Sequence, residues 1–176
     1  MVVVSMLWMF LYQQDGLINV LLAKVGITGP DWLGDPRTAL FAIIVMSTWQ
    51  GVGFHMIVWL SGLQTIPAEL YEAAAIDGAN KWQQFANVTW PGLRSTRTLI
   101  LITITISAFA LFTQVNIMTQ GGPLDATSTI VFQAVRTGFQ QQQTGYASAI
   151  SLVFFVLVLL VNLVQRYLTR DKEVSR

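Results

Sequence analysis

Apolar residues fall along this chain in long blocks separated by polar stretches. A bilayer core about 30 Å thick needs about 20 apolar residues of helix, because every backbone N–H and C=O must be satisfied within the segment. Three blocks meet that length, at residues 38–63, 99–120 and 145–165. None contains Asp, Glu, Lys or Arg, and His55 is the one ionisable residue in the first. The opening run, residues 1–12, is as apolar, but at 1.5 Å per residue it gives only about 18 Å of helix. It has neither the basic leading region nor the small-residue cleavage site of a signal peptide. It reads as the remnant of a span whose beginning is missing; a start that tilts or snorkels across a thinned bilayer is the alternative.

Between the blocks, Gly29-Pro30, Gly34-Asp35-Pro36 and Gly121-Gly122-Pro123 mark places where helix is hard to continue. From Ser128 to Phe139, the residues Ile130, Val131, Phe132, Val135 and Phe139 line one side of a short interfacial or re-entrant helix. The most patterned polar stretch runs from Pro67 to Pro91. Pro67 suits a first helical turn, Glu69 favours the helix dipole, and Leu70 to Ile76 are mostly good helix formers. Asp77-Gly78 interrupts that helix, because Gly tolerates a left-handed backbone and Asp bonds its own main chain. A second short helix is predicted from Asn80 to Val88, ending before Pro91, with Trp82, Phe85 and Ala86 as its apolar face. Pattern alone serves equally well for an amphipathic helix pair lying on a membrane surface.

Composition agrees with the blocks: 53% of the residues are hydrophobic and 11% charged, against about 25% charged in soluble domains. A formal charge of +1 gives no reason to expect nucleic-acid binding, which relies on concentrated Lys and Arg. With no cysteine and one histidine, disulfides, thiolate catalysis and Cys- or His-built metal sites drop out. The placement of charge says more than its sum. Lys81, Arg94 and Arg97 share a side with Arg166, Arg170, Lys172 and Arg176, while Lys24, Arg37 and Arg136 fall on the other. Short loops rich in Lys and Arg stay inside, which places residues 64–98 and the C-terminal tail 166–176 in the cytoplasm and residues 13–37 and 121–144 outside. The basic tail then anchors the last span at the anionic inner leaflet. The sequence Asn87-Val88-Thr89 matches a glycosylation acceptor but lies on the cytoplasmic side, and is discounted.

The ordered run EAAAIDGANKWQQFANVTWP resembles the EAA loop of binding-protein-dependent ABC importers, with Glu72, Ala73, Ala74, Asp77, Gly78, Phe85 and Pro91 at the matching positions. Trp90 departs from the aliphatic residue usual before the terminal proline. DGLINVLL, TIPAELYEAA, TQGGPLDATST and TGYASAIS extend the likeness to the MalF-like sugar-permease branch over nearly the whole chain. The resemblance implies an all-α, polytopic transmembrane helical bundle with a cytoplasmic helix-turn-helix coupling loop at 64–98. Such subunits usually have at least six spans, so roughly the first third of the expected subunit is absent here. The implied partners are an ABC ATPase dimer carrying ATP and Mg, a second homologous permease, an extracytoplasmic solute-binding protein and the lipid bilayer. The implied location is a bacterial or archaeal plasma membrane.

No Gly-x-x-x-x-Gly-Lys-Ser/Thr loop occurs, so ATP hydrolysis is expected on another chain and no cofactor on this one. Neither HExxH nor GxSxG is present. Polar residues inside spans are costly unless they face protein or water, which singles out Gln50, His55, Gln114, Asn116 and Asn162. Helix-to-helix hydrogen bonding explains such residues as well as substrate contact does, and Ser47 with Gly51 forms a small-x-x-x-small helix contact. Gln114 and Asn116, beside Phe109 and Phe112, are the candidates for lining a sugar path, since hydroxyl-rich ligands suit amides and aromatic faces. Arg136 is a candidate contact for a binding protein or anionic substrate, or a solvated loop charge. Carbohydrate is the expected cargo, with glycerol phosphates or their diesters as the alternative; a secondary transporter or membrane scaffold is the competing class.

Overall fold

The structure is a computed structural model that describes residues 1–169. It is all-helical, with no strand among the described residues: α1 (Val2–Leu11), α2 (Leu17–Lys24), α3 (Ala39–Gln64), α4 (Ala68–Ile76), α5 (Lys81–Gln84), α6 (Trp90–Gly92), α7 (Arg94–Phe109), α8 (Thr113–Met118), α9 (Ile130–Val135) and α10 (Thr144–Thr169). Two π-helical segments, Phe85–Thr89 and Arg136–Gln140, join α5 to α6 and follow α9. The stretches Ala39–Gln64, Arg94–Met118 and Thr144–Tyr167 are long and apolar enough to cross a membrane. The basic tail predicted at 166–176 has its Arg170, Lys172 and Arg176 outside the described residues.

Five hydroxyl groups on α7 and α10 bond their own backbone. Thr98, Thr103 and Thr105 donate to the carbonyls of Arg94, Leu99 and Leu101 at 3.0, 3.0 and 2.8 Å. Ser148 and Ser151 donate to Thr144 and Ala147 at 2.8 and 2.9 Å. A hydroxyl satisfied one turn back adds no unpaired polar group to an apolar surface.

The chain forms two compact units. The first holds residues 1–50 and 107–160. Its core gathers Tyr12, Ala42, Ile43, Met46, Val115, Met118 and Phe132, with Trp8, Trp32 and Phe112 packed against it. The Tyr12 hydroxyl, buried at the end of α1, donates to the Ala42 carbonyl on α3 at 2.9 Å. Residues 13–37, expected only as a segment punctuated by turns, contain α2 and a polar knot. The buried Asn19 amide donates to the carbonyls of Gln13, Gln14 and Pro30, and its oxygen accepts from the Trp32 indole at 2.7 Å. A Cβ at Gly29 would collide with Asn19, which accounts for glycine there. Asp35 pairs with Arg37 at 2.9 Å, and that hydrogen bond holds its carboxyl below the usual range.

The segment after α8 turns sharply, with Gln120, Gly121, Leu124 and Asp125 in the left-handed region. Thr127 holds this turn together: its hydroxyl donates to the Gly122 carbonyl at 2.7 Å and meets the Thr119 hydroxyl at 2.7 Å. Gly121 is required twice over, by its φ of 87° and because a Cβ would run into the Phe132 ring. The helix predicted after Ser128 is α9, and Phe132 from its expected apolar side enters the core, while Phe139 lies exposed.

The second unit holds residues 51–106 and, among the described residues, 161–169. Here Gly62 on α3 lies against Thr96 on α7, and the Gln165 amide on α10 donates to the Thr105 hydroxyl at 2.6 Å.

Replacing Asn19 by Ala is expected to destabilise the protein by about 2 kcal/mol, because the Trp32 indole N–H and three carbonyls lose a buried partner. Thermal unfolding of the detergent-solubilised protein, followed by tryptophan fluorescence, reads this as a lowered Tm; an unchanged Tm contradicts the role given to the knot.

Candidate functional site: a capped helical loop and an interrupted span

The loop between α3 and α7 takes its shape from local chemistry. Pro67 stands at the N-cap of α4 rather than inside its first turn, with φ −60° and ψ 135°. The helix stops at Asp77, and Gly78 reverses the chain with φ of +78°. Asn80 then starts α5 with a reciprocal capping box: its side chain accepts from the Gln83 N–H at 2.9 Å, and the Gln83 side chain accepts from the Asn80 N–H at 2.8 Å. The Gln84 amide reaches back to the Ala79 carbonyl at 3.2 Å. Few degrees of freedom remain between Asp77 and Gln84.

The second helix does not end before Pro91, as the sequence suggested. It widens into the π-helical segment Phe85–Thr89, with the Trp90 N–H bonded to the Phe85 carbonyl, and continues through Pro91 to Gly92. Proline lacks an N–H and crowds the carbonyl four residues back, and a π register relieves both by altering the bonding partners around it. The polypeptide thus passes from loop to α7 with only a short turn at Leu93.

The predicted apolar face Trp82, Phe85 and Ala86 lies in the open. Trp82 stacks on Phe85 at 5.6 Å, Phe85 meets Trp90 at 6.2 Å, and the Arg97 guanidinium lies 4.2 Å over the Trp90 ring. Trp82 is 75% exposed and Ile76, at the end of α4, 87%. Glu72, Ala73 and Asp77 are exposed, Ala74 half-buried, and Phe85 and Pro91 exposed. All seven residues of the matched motif therefore belong to one capped loop whose outer surface is left open by the described residues.

The other candidate region is a discontinuity. The apolar stretch predicted as one span at 99–120 is helical from Arg94 to Phe109 and again from Thr113 to Met118, with a turn at 110–112. The Phe112 N–H bonds only two residues back, to the Ala110 carbonyl, at 2.8 Å. Thr129, at the N-cap of α9, braces this turn: its hydroxyl accepts from the Phe132 N–H at 3.2 Å and donates to the Leu111 carbonyl at 3.4 Å. Phe109, Phe112, Gln114 and Asn116 flank the turn. Phe109 packs on Phe154 and Phe112 on Phe132. Gln114 is 5% exposed, with its amide 3.7 Å from the Met1 sulfur, and Asn116 is half-buried. Arg136 reaches Asp125 at 3.5 Å, an exposed pair of little energetic weight. No group of three His, Cys, Asp or Glu capable of holding a metal occurs among the described residues.

Thr129, Thr127, Tyr71 and Thr89 escaped the sequence reading. A Thr directly before the apolar Ile130 is the usual sign of an N-cap and points to Thr129; the other three carry no local signal.

The arrangement of apolar helices is that of an ABC importer permease. A crystal structure of a bacterial ABC transporter involved in the import of the acidic polysaccharide alginate superposes with a TM-score of 0.86 at 24% identity, covering 99% of this chain and 61% of that one. The chain belongs to the family described as binding-protein-dependent transport system inner membrane component, whose sequence profile matches residues 1–174. It is 36% identical to the probable ABC transporter permease protein YurN of Bacillus subtilis, over 98% of this chain and 61% of that protein. It is 39% identical to the trehalose/maltose transport system permease protein MalF of Thermococcus litoralis, over 89% of this chain and 53% of the relative. The lactose transport system permease protein LacF of Rhizobium radiobacter matches at 34%, over 98% of this chain and 60% of that protein. The chain therefore spans between about half and three fifths of the length of these relatives.

Two substitutions test the loop's construction. Asn80→Ala removes one half of the capping box and is expected to weaken the turn by about 1 kcal/mol. Gly78→Ala forces a Cβ into the left-handed region, at a cost of about 1 to 2 kcal/mol. Hydrogen exchange at residues 79–84 should speed up in both; unaltered protection in both contradicts the account.

Proposed function

We propose that this chain is the membrane-embedded permease part of a solute-binding-protein-dependent importer of carbohydrates, driven by an ABC ATPase. The observation that carries the reading is the capped loop of Glu72, Ala73, Ala74, Asp77, Gly78, Phe85 and Pro91, whose outer surface is apolar, aromatic and left open by the described residues. Large exposed apolar groups on a rigid element suit a protein partner. That partner is a nucleotide-binding subunit of an ATPase dimer, which binds ATP and Mg and receives α4 in a cleft.

Alternating access needs the inward- and outward-facing states to differ in stability, and ATP binding supplies the difference through this contact. Closure of the two ATPases draws in this loop and the equivalent loop of a second, homologous permease. In that contact Glu72 provides the polar partner group, Ala73 and Ala74 let α4 approach closely, and Gly78 sets the turn. Phe85 and Pro91 shape the return toward α7. The loop and the C-terminus face the cytoplasm of a bacterial or archaeal cell, and the turn at 120–125 faces the solute-binding protein.

Carbohydrate is favoured because relatives of this chain are named for trehalose and maltose and for lactose. The broken span supplies the path: non-helical backbone at membrane depth is tolerated where it is packed in protein or lines a water-filled cavity. Asn116, Gln114, Phe109 and Phe112 flank that break with the amides and aromatic faces that suit sugar hydroxyls and ring C–H groups.

In the assembled importer reconstituted with its binding protein, Ala74→Trp and Gly78→Pro are expected to lower sugar-stimulated ATP hydrolysis roughly tenfold, the size of a typical coupling free energy. Ala74→Trp blocks close approach, and proline cannot adopt the φ of +78° at residue 78. Stimulation retained in both variants would sink the assignment.

A further inference from the structure

The loop's two arms are joined in register. The chain leaves α3 through α4 and returns through the π-helical segment and α6 to α7, and three pairs face each other along the way. Nearest the long helices, Gly62 lies against Thr96, and a Cβ on Gly62 would come within 2.9 Å of the Thr96 Cβ. Next, Gly92 lies against Ile66, where a Cβ would come within 2.9 Å of the Ile66 Cδ1. At the outer end the Tyr71 and Thr89 hydroxyls are hydrogen-bonded at 2.9 Å, both partly buried. One arm steps outward through 62, 66 and 71 while the other steps through 96, 92 and 89, as in an antiparallel helical hairpin.

The three rungs are mechanically unequal. The glycine contacts are van der Waals contacts, which resist compression steeply but yield readily to separation. The hydroxyl pair is directional and resists both. Its position also matters. Thr89 ends the π-helical segment, and Pro91, two residues on, has no N–H to give, so the returning arm's own backbone ladder is weakest there. Tyr71 immediately precedes Glu72 on α4 and ties that weak joint to the helix assigned to the ATPase.

We propose that Tyr71 and Thr89 are positioning residues for energy coupling: their hydroxyl bond is the strut that makes α4 and the start of α7 move as one body when the ATPase closes. The inference rests on the coupling role proposed for the loop. Without the strut, pulling on α4 opens the hairpin at the Pro91 joint before α7 moves.

Spin-label distances test this without a transported sugar. The chain has no cysteine, so Glu69→Cys on α4 and Leu101→Cys on α7 place one label on each arm of the assembled importer in lipid nanodiscs. Distances are measured free of nucleotide and after trapping with MgATP and vanadate. The unaltered hairpin is expected to keep one distance in both conditions. Tyr71→Phe and Thr89→Val, which keep the shape and lose the bond, should keep it without nucleotide and gain a second, longer population in the trapped state. Thr89→Ser, which retains the hydroxyl, should restore the single distance, and the double variant Tyr71→Phe/Thr89→Val should look like either single one. With the ATPase bound, an unchanged distribution in both single variants overturns the strut, as does a longer population already present without nucleotide. Failure of any ATPase to co-purify with the unaltered chain overturns the coupling reading instead, and the strut's role with it.

Discussion

The constraint on which the rest depends is that a backbone placed in hydrocarbon must satisfy its own hydrogen bonds. A missing bond there has no water to replace it. Long helices follow directly, and so does the treatment of five hydroxyls on α7 and α10: Thr98, Thr103, Thr105, Ser148 and Ser151 bond carbonyls of their own helices. Where the ladder is broken, a side chain or an altered register repairs it. At 110–112 the repair comes from Thr129, which bonds the Leu111 carbonyl while capping α9. At Pro91 it comes from the π-helical segment before it. Both regions given functional roles are places where a helix departs from the regular ladder.

That coincidence has a physical basis. An uninterrupted helix presents side chains but hides its backbone, and it transmits displacement along its axis without bending. The substrate path proposed at the break would gain from it, since the turn re-aims side chains such as Asn116 beside the aromatic rings. The coupling role proposed for the loop needs the converse. The loop's local structure is over-determined by the Asn80–Gln83 capping box, the left-handed Gly78 and the Tyr71–Thr89 bond, so that an apolar surface exposed among the described residues stays fixed. Exposure of Ile76 and Trp82 would be a liability on a free loop. It suits the partner-binding role proposed for this surface.

Hydrophobic blocks, Gly78 and the residues around it are local features, and they were legible in the sequence because each depends on neighbours within a turn or two. The length of an apolar block sets whether it can span, and a glycine after Asp77 sets a reversal wherever the loop lies. The ordered motif likewise gave the loop's composition residue by residue. The break at 110–112 was not legible: ALFTQ carries neither Gly nor Pro, and its turn exists because Thr129 and the rings of Phe132 and Phe154 arrive from elsewhere in the chain. Nor was the helix through Pro91, since the rule that proline ends a helix assumes an α register.

By itself the sequence determined the class of fold, the helices long enough to cross a membrane and the two-helix loop, because hydropathy, glycine stereochemistry and capping act over a few residues. Tertiary structure alone decided which polar groups meet. Tyr12 finds the Ala42 carbonyl, Trp32 finds Asn19, and Tyr71 finds Thr89 across separations of 30, 13 and 18 residues. Helical periodicity fixes the face on which a residue lies. The partner on the opposing face is set by how the helices cross, through close approaches such as Gly62 on Thr96, and that information is spread over the whole packed unit.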